Sequence, residues 1–373
     1  DAIEHIHFTA GWKLASDVQP LFPVPAAVWF AKFSNTAKRL PKKVRAFSGQ
    51  LIERNPTRKI AEKRLTIGKE DWPSEDRTDD GSAYRSAFRQ GAILIPRRLV
   101  LVERESVGRL GGNPQAPRVR GRKGKQDKKP WKDLDAPTGP VEAAFLRPTY
   151  LGENVYPYRL GKPLEAVIPV ISGEVVSSRG AMTTGATKLA EWLEKCEELW
   201  NKHGKGERTF AEQLNYFGQL TSQFPAPSIR VVYAKAGTHP SASIIDDANA
   251  VIDHKLYWAE CSKMQEARFL AAIVNSETAR SMAEQWQAQG QWGARDFDKV
   301  MFNLPIPLFD SSLSLHEELA KAAKHAEKIS GMVEIDEGNY FVTVRKRIRE
   351  ALYDDGIGEK IDELVEKLLF DAG

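Results

Sequence analysis

The sequence predicts an α+β protein, in which a domain with a mixed or antiparallel sheet is followed by a helical C-terminal segment. Apolar runs rich in β-branched residues dominate up to about Tyr257. Beyond that point, apolar residues recur at the spacing of helices. No internal repeat at a period of about 20 to 50 residues indicates a solenoid. The 373 residues are enough for two domains and a sizeable core.

Composition places the chain among soluble globular proteins, with 42% hydrophobic and 28% charged residues. No apolar run approaches the roughly 20 residues that cross a bilayer, and the N-terminal region lacks the pattern of a secretory signal. Cys196 and Cys261 stand far apart and outside any C-x-x-C pattern, so we expect reduced, buried thiols. We therefore expect a cytoplasmic chain with no membrane partner.

Positive charge is concentrated in one segment. Residues 118–132 hold eight basic residues and one acid, a net charge of +7, whereas the whole chain carries +4. After Ser311 the balance is acidic, with 14 Asp and Glu against 9 Lys and Arg. A basic run bounded by Gly and Pro cannot build a core, so it predicts a mobile loop suited to phosphate contact. An ordinary solvated loop is the alternative.

The first predicted strand covers residues 26–31 and follows three prolines, which confine it to a sheet edge or a strand start. It has no obvious local partner, and the chain begins without methionine. We therefore expect a fragment whose first strand is the remnant of an upstream domain. The predicted domains are residues 1–46 (this remnant and a connector), residues 47–310 (an α+β domain) and residues 311–373 (a helical spacer).

Three more strands are predicted at residues 92–104, 164–171 and 229–235. Pro96 removes a ladder donor from the first of these and predicts a bulge. Arg97 and Arg98 would then project from opposite sides of that strand.

Helices are predicted from apolar spacing and from caps. Residues 186–204 place Leu, Trp and Cys side chains on one face and end at a glycine. Thr209-x-x-Glu212 and Ser314-x-x-Glu317 have the pattern of capping boxes. Two C-terminal amphipathic helices are predicted from the following apolar positions: Val344, Ile348 and Leu352 in one, and Ile361, Leu364, Val365 and Leu368 in the other.

Motifs that carry catalysis are missing. The chain has no phosphate-binding glycine loop, no H-E-x-x-H and no G-x-S-x-G elbow, so we assign no catalytic or metal-binding residue. An acidic cluster leaves a Mg²⁺-dependent nuclease open as an alternative, although its short spacing argues against two adjacent strands. The cluster comprises Asp246, Asp247, Asp253, His254 and Lys255. A non-catalytic protein-interaction module is the other alternative.

Several basic, amide and hydroxyl residues are suited to contact with nucleic acid. Arg and Gln can read guanine and adenine edges, and Lys anchors phosphate. Residues 179–184 precede a predicted helix N-terminus, which favours phosphate, while Gln291, Arg295 and Lys299 occupy a polar loop. Taken singly, each is more often an ordinary surface residue. The full candidate set is Arg97, Arg98, Arg118, Arg120, Arg122, Lys123, Lys125, Arg179, Thr183, Thr184, Tyr233, Lys235, Gln291, Arg295 and Lys299.

Residues 275–310, NSETARSMAEQWQAQGQWGARDFDKVMFNLPIPLFD, resemble the end of target-recognition domains in bacterial DNA modification enzymes. Type I specificity subunits share this shape. A longer resemblance is to the C-terminal half of large adenine-specific DNA methyltransferases of restriction-modification and phage-defence systems. It extends over PLFPVPAAVWFA, FSGQLIERN, FRQGAILIPRRLVLVE, LNYFGQLTSQFP, RVVYAKAGT and AVIDHKLYWAE.

This resemblance implies a region that reads a short double-stranded DNA site for adenine-N6 methylation. Enzymes of the family bind S-adenosylmethionine with a glycine-containing loop and hold the flipped adenine with an Asn-Pro-Pro-Tyr-like tetrapeptide. Neither motif occurs here, so the chain alone is expected to bind no cofactor. The resemblance then implies that S-adenosylmethionine belongs to an upstream methyltransferase domain. That domain, double-stranded DNA and other restriction or defence subunits are the expected partners.

Overall fold

The structure is a computed structural model that describes residues 6–15, 17–18, 26–34, 40–71, 81–106, 111–124, 127–287, 289–290, 293–294, 296–335 and 340–370. It confirms the α+β class: helices and several small antiparallel or mixed sheets precede a helical C-terminal segment. The chain divides into two compact units. One comprises Asp1–Gly81 and Glu284–Phe297, and the other comprises Ser82–Ala283 and Asp298–Gly373.

The described strands, numbered along the chain, are β1 (Ile6–Leu14), β2 (Ala26–Phe33), β3 (Lys43–Ser48), β4 (Thr66–Asp71), β5 (Arg89–Gln90), β6 (Leu101–Arg104), β7 (Arg118–Gly121), β8 (Thr138–Pro140), β9 (Leu146–Tyr150), β10 (Val155–Tyr156), β11 (Arg159–Leu160), β12 (Leu164–Val167), β13 (Val170–Ile171), β14 (Glu174–Val175), β15 (Arg230–Ala234), β16 (Ser241–Ile245), β17 (Val251–Ile252), β18 (Leu256–Glu260), β19 (Gln289–Gly290) and β20 (Gly293–Ala294).

The described α-helices are α1 (Arg58–Arg64), α2 (Arg97–Val100), α3 (Ser178–Thr183), α4 (Thr187–His203), α5 (Phe210–Leu214), α6 (Met264–Asn275), α7 (Glu277–Ala283), α8 (Ser314–Met332), α9 (Phe341–Asp354) and α10 (Ile357–Phe370). Short 3₁₀ turns cover Ala143–Phe145, Gly152–Asn154, Tyr216–Gly218, Thr221–Gln223, Glu284–Trp286 and Val300–Asn303.

The first unit contains a four-stranded sheet in the order β2-β1-β3-β4. The strand expected at residues 26–31 is β2, and it lies at the sheet edge, as its prolines required. The expectation that it has no local partner is wrong, because β1 pairs with it along its length. Gly11 allows this sheet to pack tightly, since a Cβ there would lie 2.3 Å from the Trp29 ring. The predicted domain boundary after residue 46 falls inside β3.

The second unit contains a six-stranded sheet in the order β17-β9-β12-β6-β7-β8, which shares a core with α4. The helix predicted at residues 186–204 is confirmed as Thr187–His203. Its predicted apolar face is buried, with Trp192 and Cys196 at the centre of the core. Gly204 follows the last residue of the helix. A Cβ at position 204 would lie 2.6 Å from the carbonyl oxygen of Trp200, so only glycine fits there without a shift.

A second sheet of the same unit has the order β16-β15-β18-β5. Strand β15 is the strand predicted at residues 229–235, and all five of its residues are buried, because α6 packs on this sheet. The short strand β5 forms the edge and pairs with β18, with Gln90 opposite Tyr257 and Arg89 opposite Trp258. On this edge strand the Arg89 side chain is exposed and the Gln90 side chain is partly exposed.

The strand expected over residues 92–104 is only partly present. Ala92 makes a single bridge to Asp253, and the chain then forms the helical turn α2 before β6 begins at Leu101. The proline break is the reason: the amide of Leu99 donates to the carbonyl of Pro96 at 3.0 Å, which starts a turn instead of a bulge. The strand expected over residues 164–171 is likewise divided, into β12 and β13.

Three helices, α8 to α10, form the C-terminal segment, and the predicted stripes of α9 and α10 are buried. The capping box predicted at Thr209 is confirmed, with reciprocal bonds to Glu212 at 3.2 and 2.8 Å. The capping box predicted at Ser314 is wrong. The helix is capped by Leu313, so Ser314 is its first helical residue and its hydroxyl instead bonds to Glu318 at 2.7 Å. Among the described helices, none is long and apolar enough to span a bilayer.

Candidate nucleic-acid interface

Arg97 and Arg98 lie on the helical turn α2 and have different environments. Arg98 is 1% exposed, and its guanidinium donates to the carbonyls of Trp131 and Lys132, the second at 2.8 Å. The Arg97 side chain is 23% exposed, with Nη2 at 3.8 Å from Asp253 Oδ1. Burial makes Arg98 unavailable for the direct DNA contact expected of it. Arg97 keeps access to solvent.

The basic segment at residues 118–132 begins as a strand and not as the predicted mobile loop. Strand β7 pairs with β6 and β8 in the middle of the sheet. Val119 and Gly121 are buried while Arg118 and Arg120 are exposed, because successive side chains of a strand point to opposite faces. The basic run forms a strand because Val119 and Gly121, which alternate with the arginines, are buried in the sheet core.

Acidic side chains neutralise part of this basic surface. Arg118 Nε lies 3.3 Å from Glu105, and Arg122 Nε lies 3.3 Å from Glu103. Arg120 and Lys123 are exposed and make no ion pair with any residue that the structure describes. Lys125 lies outside the described residues.

Arg179 and Thr183 lie on the short helix α3 and Thr184 follows it, so both threonines directly precede the N-terminus of α4, as predicted. All three are exposed. The hydroxyls of Thr183 and Thr184 donate to the carbonyls of Arg179 and Ala181, each at 2.9 Å. At the start of α4, the amides of Lys188 and Leu189 donate to the Glu142 carboxylate at 2.8 and 2.7 Å. Phosphate contact by the three residues stays a prediction.

Tyr233, Lys235 and Lys299 lie close together and bond to the protein; Tyr233 is buried and the two lysines are partly exposed. The Tyr233 hydroxyl donates to the carbonyl of Asp298, and Lys235 Nζ lies 3.2 Å from the Asp298 carboxylate. Lys299 Nζ donates to the carbonyl of Arg85 at 3.1 Å. Burial raises the pKa of Tyr233 well above its usual value, while burial and then the charge of Arg85 lower the pKa of Lys299.

These contacts hold Asp298, which has a positive φ of 30°. A non-glycine residue in this region needs support from its surroundings, and the side chains of Tyr233, Lys235 and Tyr257 provide it. They anchor the C-terminal end of the polar loop predicted at residues 291–299. Gln291 and Arg295, the other two residues of that loop, lie outside the described residues.

Five polar residues lie on the edge strand β5 or in the chain segments next to it. We call this set the amide–arginine edge; it consists of Arg89, Gln90, Arg97, Gln219 and His254. Only Arg97 belongs to the sequence-predicted set. The Gln90 amide donates to the carbonyl of His254 at 2.8 Å and accepts from the Gln219 amide at 3.4 Å.

Both amides keep hydrogen-bonding capacity. An amide nitrogen carries two hydrogens and its oxygen two lone pairs. In the described part of the chain, Gln90 and Gln219 each use one donor for the bonds just given. The side-chain oxygen of Gln219, Oε1, is buried and has no hydrogen-bond partner there. The second hydrogen on each amide nitrogen is therefore the group that a ligand can bind.

Close packing fixes the backbone that carries these side chains. Gly91 lies against the chain at residues 252–253, where a Cβ would lie 2.4 Å from the carbonyl oxygens of both Ile252 and Asp253. The Arg89 guanidinium lies over the Trp258 ring, 5.6 Å from its centroid. A glycine at position 91 is thus required by the close approach. The FRQG stretch that ends in this glycine is the sequence signal that could have identified Arg89 and Gln90.

The acidic cluster considered for a nuclease has a structural role at its centre. Asp253 is fully buried, and its carboxylate lies 3.0 Å from His254 Nδ1 and accepts from the Lys255 amide at 3.0 Å. Asp247 accepts from the amide of Asn249 at 2.8 Å. Across the described ranges, no group of three or more His, Cys, Asp or Glu side chains is placed to hold a metal ion.

The fold and this edge define an α+β protein that presents arginine and glutamine side chains beside a sheet edge. No protein-family model and no curated protein matches the chain. Among solved structures, it is similar to the Type IIL restriction-modification enzyme MmeI in complex with DNA, with a TM-score of 0.47 and 9% identity, over 98% of this chain and 43% of that one. It is also similar to the type IIG restriction endonuclease BpuSI, with a TM-score of 0.31 and 10% identity, over 99% of this chain and 45% of that one.

The chain thus spans less than half the length of both solved structures.

Proposed function

We propose that this chain is the DNA target-recognition region of an adenine-N6 DNA methyltransferase of a restriction-modification or phage-defence system. The observation that carries the proposal is the amide–arginine edge, where the hydrogen-bonded pair Gln90 and Gln219 lies next to the chain at residues 253–254 that Arg97 contacts, and where Arg89 precedes Gln90 in β5. Arg forms bidentate bonds with guanine, and Gln forms them with adenine. A rigid surface bearing both is suited to reading a short sequence in the major groove.

Phosphate binding belongs to a different set of residues in this proposal. Arg120 and Lys123 are exposed and make no described ion pair, so they provide affinity that does not depend on sequence. Arg118 and Arg122 contribute less, because Glu105 and Glu103 lie beside them.

The remaining parts of the proposal rest on the sequence resemblance. S-adenosylmethionine is bound by an upstream methyltransferase domain, and that domain carries out methylation. Double-stranded DNA is the main partner, other restriction or defence subunits are further partners, and the protein works in the cytoplasm. Sequencing the gene upstream of residue 1 tests this part directly. If the upstream open reading frame lacks methyltransferase motifs, the proposal of an upstream methyltransferase domain is rejected.

Recognition is tested by selection from a pool of random duplexes, followed by anisotropy titration of the winning duplex at low salt. We expect enrichment of one short sequence. The Gln90→Ala variant should lose most of the preference for that sequence over a scrambled duplex, about tenfold if one bidentate contact is lost. The matched control is Gln265→Ala, an exposed glutamine on α6, which should bind as the parent chain does.

Failure of the parent chain to bind any duplex at low salt would reject the proposal. An equal loss of preference in both variants would show that the edge does not read the sequence. Substitution is preferable to deleting residues 118–132, because part of that segment is the sheet strand β7.

A further inference from the structure

Phe217 is an aromatic side chain held out in solvent, with 82% of its surface exposed. It lies in the turn between α5 and Leu220, and its backbone has φ 53° and ψ 22°, the left-handed region. Gly218 follows with φ 68°. Non-glycine residues in this region are mostly Asn or Asp, whose side chains bond locally. Phenylalanine has no such bond to offer, so local backbone chemistry does not explain it.

The turn that carries Phe217 is fixed at both ends. Leu214 and Leu220 flank it and are buried in the core. The Asn215 side-chain oxygen accepts from both the amide and the hydroxyl of Thr221, each at 3.1 Å. The amide of Gly218 donates to the carbonyl of Asn215 at 2.9 Å. Such surroundings are what allow an unfavourable conformation to persist, and residues of this kind cluster at functional sites.

A cation and a second ring lie beside the exposed side chain. The Tyr216 ring centroid is 4.1 Å from that of Phe217, and the guanidinium of Arg208 lies 4.3 Å from the Tyr216 centroid. Arg208 is itself exposed. An apolar ring next to an exposed cation is the pairing that a base stack and its phosphate would satisfy together.

The same turn reaches the amide–arginine edge. Gln219, two residues after Phe217, bonds through its side chain to Gln90 of β5 at 3.4 Å. DNA read at that edge would therefore lie close to Phe217. Proteins that bind DNA insert apolar side chains such as Phe between base pairs, which unstacks the step and kinks the duplex.

We infer that Phe217 is an aromatic wedge that inserts into one base-pair step of the bound duplex, with Arg208 contacting the adjacent phosphate. This inference rests on the proposed function and adds to it a position where the DNA is deformed. Specificity then includes the ease with which that step unstacks, in addition to base-edge contacts.

The test uses the full 373-residue chain and the duplex that it selects from a random pool. 2-Aminopurine is placed at each position of this duplex in turn, and end-labelled duplexes report bending by energy transfer. With the parent chain, we expect one step to gain fluorescence and the duplex to bend. Phe217→Ala should lose both signals and bind about fivefold or more weakly, as expected for a lost stacking contact.

Two variants separate a wedge from a structural role. Phe33→Ala removes an aromatic side chain of similar exposure, 87%, and should keep both signals. Phe217→Gly relieves the left-handed backbone, so it should melt at the same or a higher temperature while losing the signals. Phe217→Leu, another apolar wedge, should restore part of them.

Unchanged fluorescence and bending in Phe217→Ala overturn the wedge but leave DNA recognition intact. Preferential binding of single-stranded over duplex DNA also overturns it. Absence of duplex binding by the parent chain overturns both the wedge and the proposed function, so the two failures are distinguishable.

Discussion

The side-chain amides of Gln90 and Gln219 are joined at 3.4 Å across a separation of 129 positions. The bond links the edge strand β5 to the turn before residue 220, and it leaves the side-chain oxygen of Gln219, Oε1, buried without a partner among the described residues. A buried acceptor without a partner lowers stability. The pair therefore gives a way to separate stability from recognition.

Replacing Gln219 by methionine should change stability by less than about 1 kcal/mol. The change removes an unsatisfied buried oxygen and keeps the shape, which offsets the loss of the 3.4 Å bond to Gln90. Recognition should weaken, because the amide that supports Gln90 is gone. Urea unfolding measures the first effect, and competition between selected and scrambled duplexes measures the second. A variant that loses stability and keeps its preference would contradict this role for Gln219.

Arg98 should be among the most important charged residues for stability. Its guanidinium is buried and donates to the carbonyls of Trp131 and Lys132. Truncation to alanine leaves a cavity and unpaired carbonyls, so we expect a loss of about 3 kcal/mol or more in urea unfolding. Arg179→Ala is the matched control, since Arg179 is exposed, and it should change stability by less than about 0.5 kcal/mol.

His316 should make stability fall with acid. Its Nδ1 accepts a hydrogen bond from the amide of Asp310 at 3.0 Å, and its ring lies 4.7 Å from that of Phe269. Burial lowers the pKa of His316, and Asp310 opposes this less strongly. The unfolded chain therefore binds a proton at higher pH than the folded chain does.

Stability should accordingly be full above the ordinary histidine pKa and should decrease as the pH falls from there to the lowered folded-state pKa. His316→Asn, which keeps an acceptor but does not titrate, should remove this part of the pH dependence. Urea unfolding of both chains at pH 7 and at pH 5 measures how much unfolding free energy each chain loses with acid. If both chains lose the same amount, the acid sensitivity belongs to groups other than His316.

Both thiols should resist modification in the native protein. Cys196 and Cys261 are buried, and burial raises both pKa values, that of Cys261 to about 12. Reaction requires the thiolate, so at pH 8 a thiol reagent should modify neither residue until urea unfolds the chain. Both should then react. Rapid labelling of either cysteine without urea would show that its part of the core opens on its own.

Helices with a clear stripe and cap were predictable from the sequence. Residues 187–203 and the two C-terminal helices follow apolar spacing, which local periodicity determines. The basic segment is less predictable, because its charge favours a loop while its pairing with β6 and β8 makes it a strand. Val119 and Gly121 are buried between the arginines, which the count of charges does not reveal.

The candidate site was less predictable for the same reason. Arg98 and Tyr233 have side chains suited to DNA, but burial decides that they bond to the protein instead. Gln90 and Gln219 look ordinary in the sequence, and only the fold brings them together. A single sequence gives side-chain chemistry, while exposure and partners come from long-range packing.

The salt dependence of DNA binding should distinguish an unpaired arginine on β7 from a paired arginine just after it. Each cation that neutralises a phosphate contributes about 0.9 to the slope of log affinity against log salt. Arg120 is exposed and has no described ion pair, whereas Arg122 lies 3.3 Å from Glu103 and its side chain is 35% exposed. We therefore expect Arg120→Gln to reduce the slope by close to one contact and Arg122→Gln to reduce it by less. Anisotropy titrations between about 50 and 200 mM salt measure both. If Arg122→Gln has the larger effect, Glu103 must release Arg122 on binding. The phosphate contact must then be assigned to Arg122 and not to Arg120.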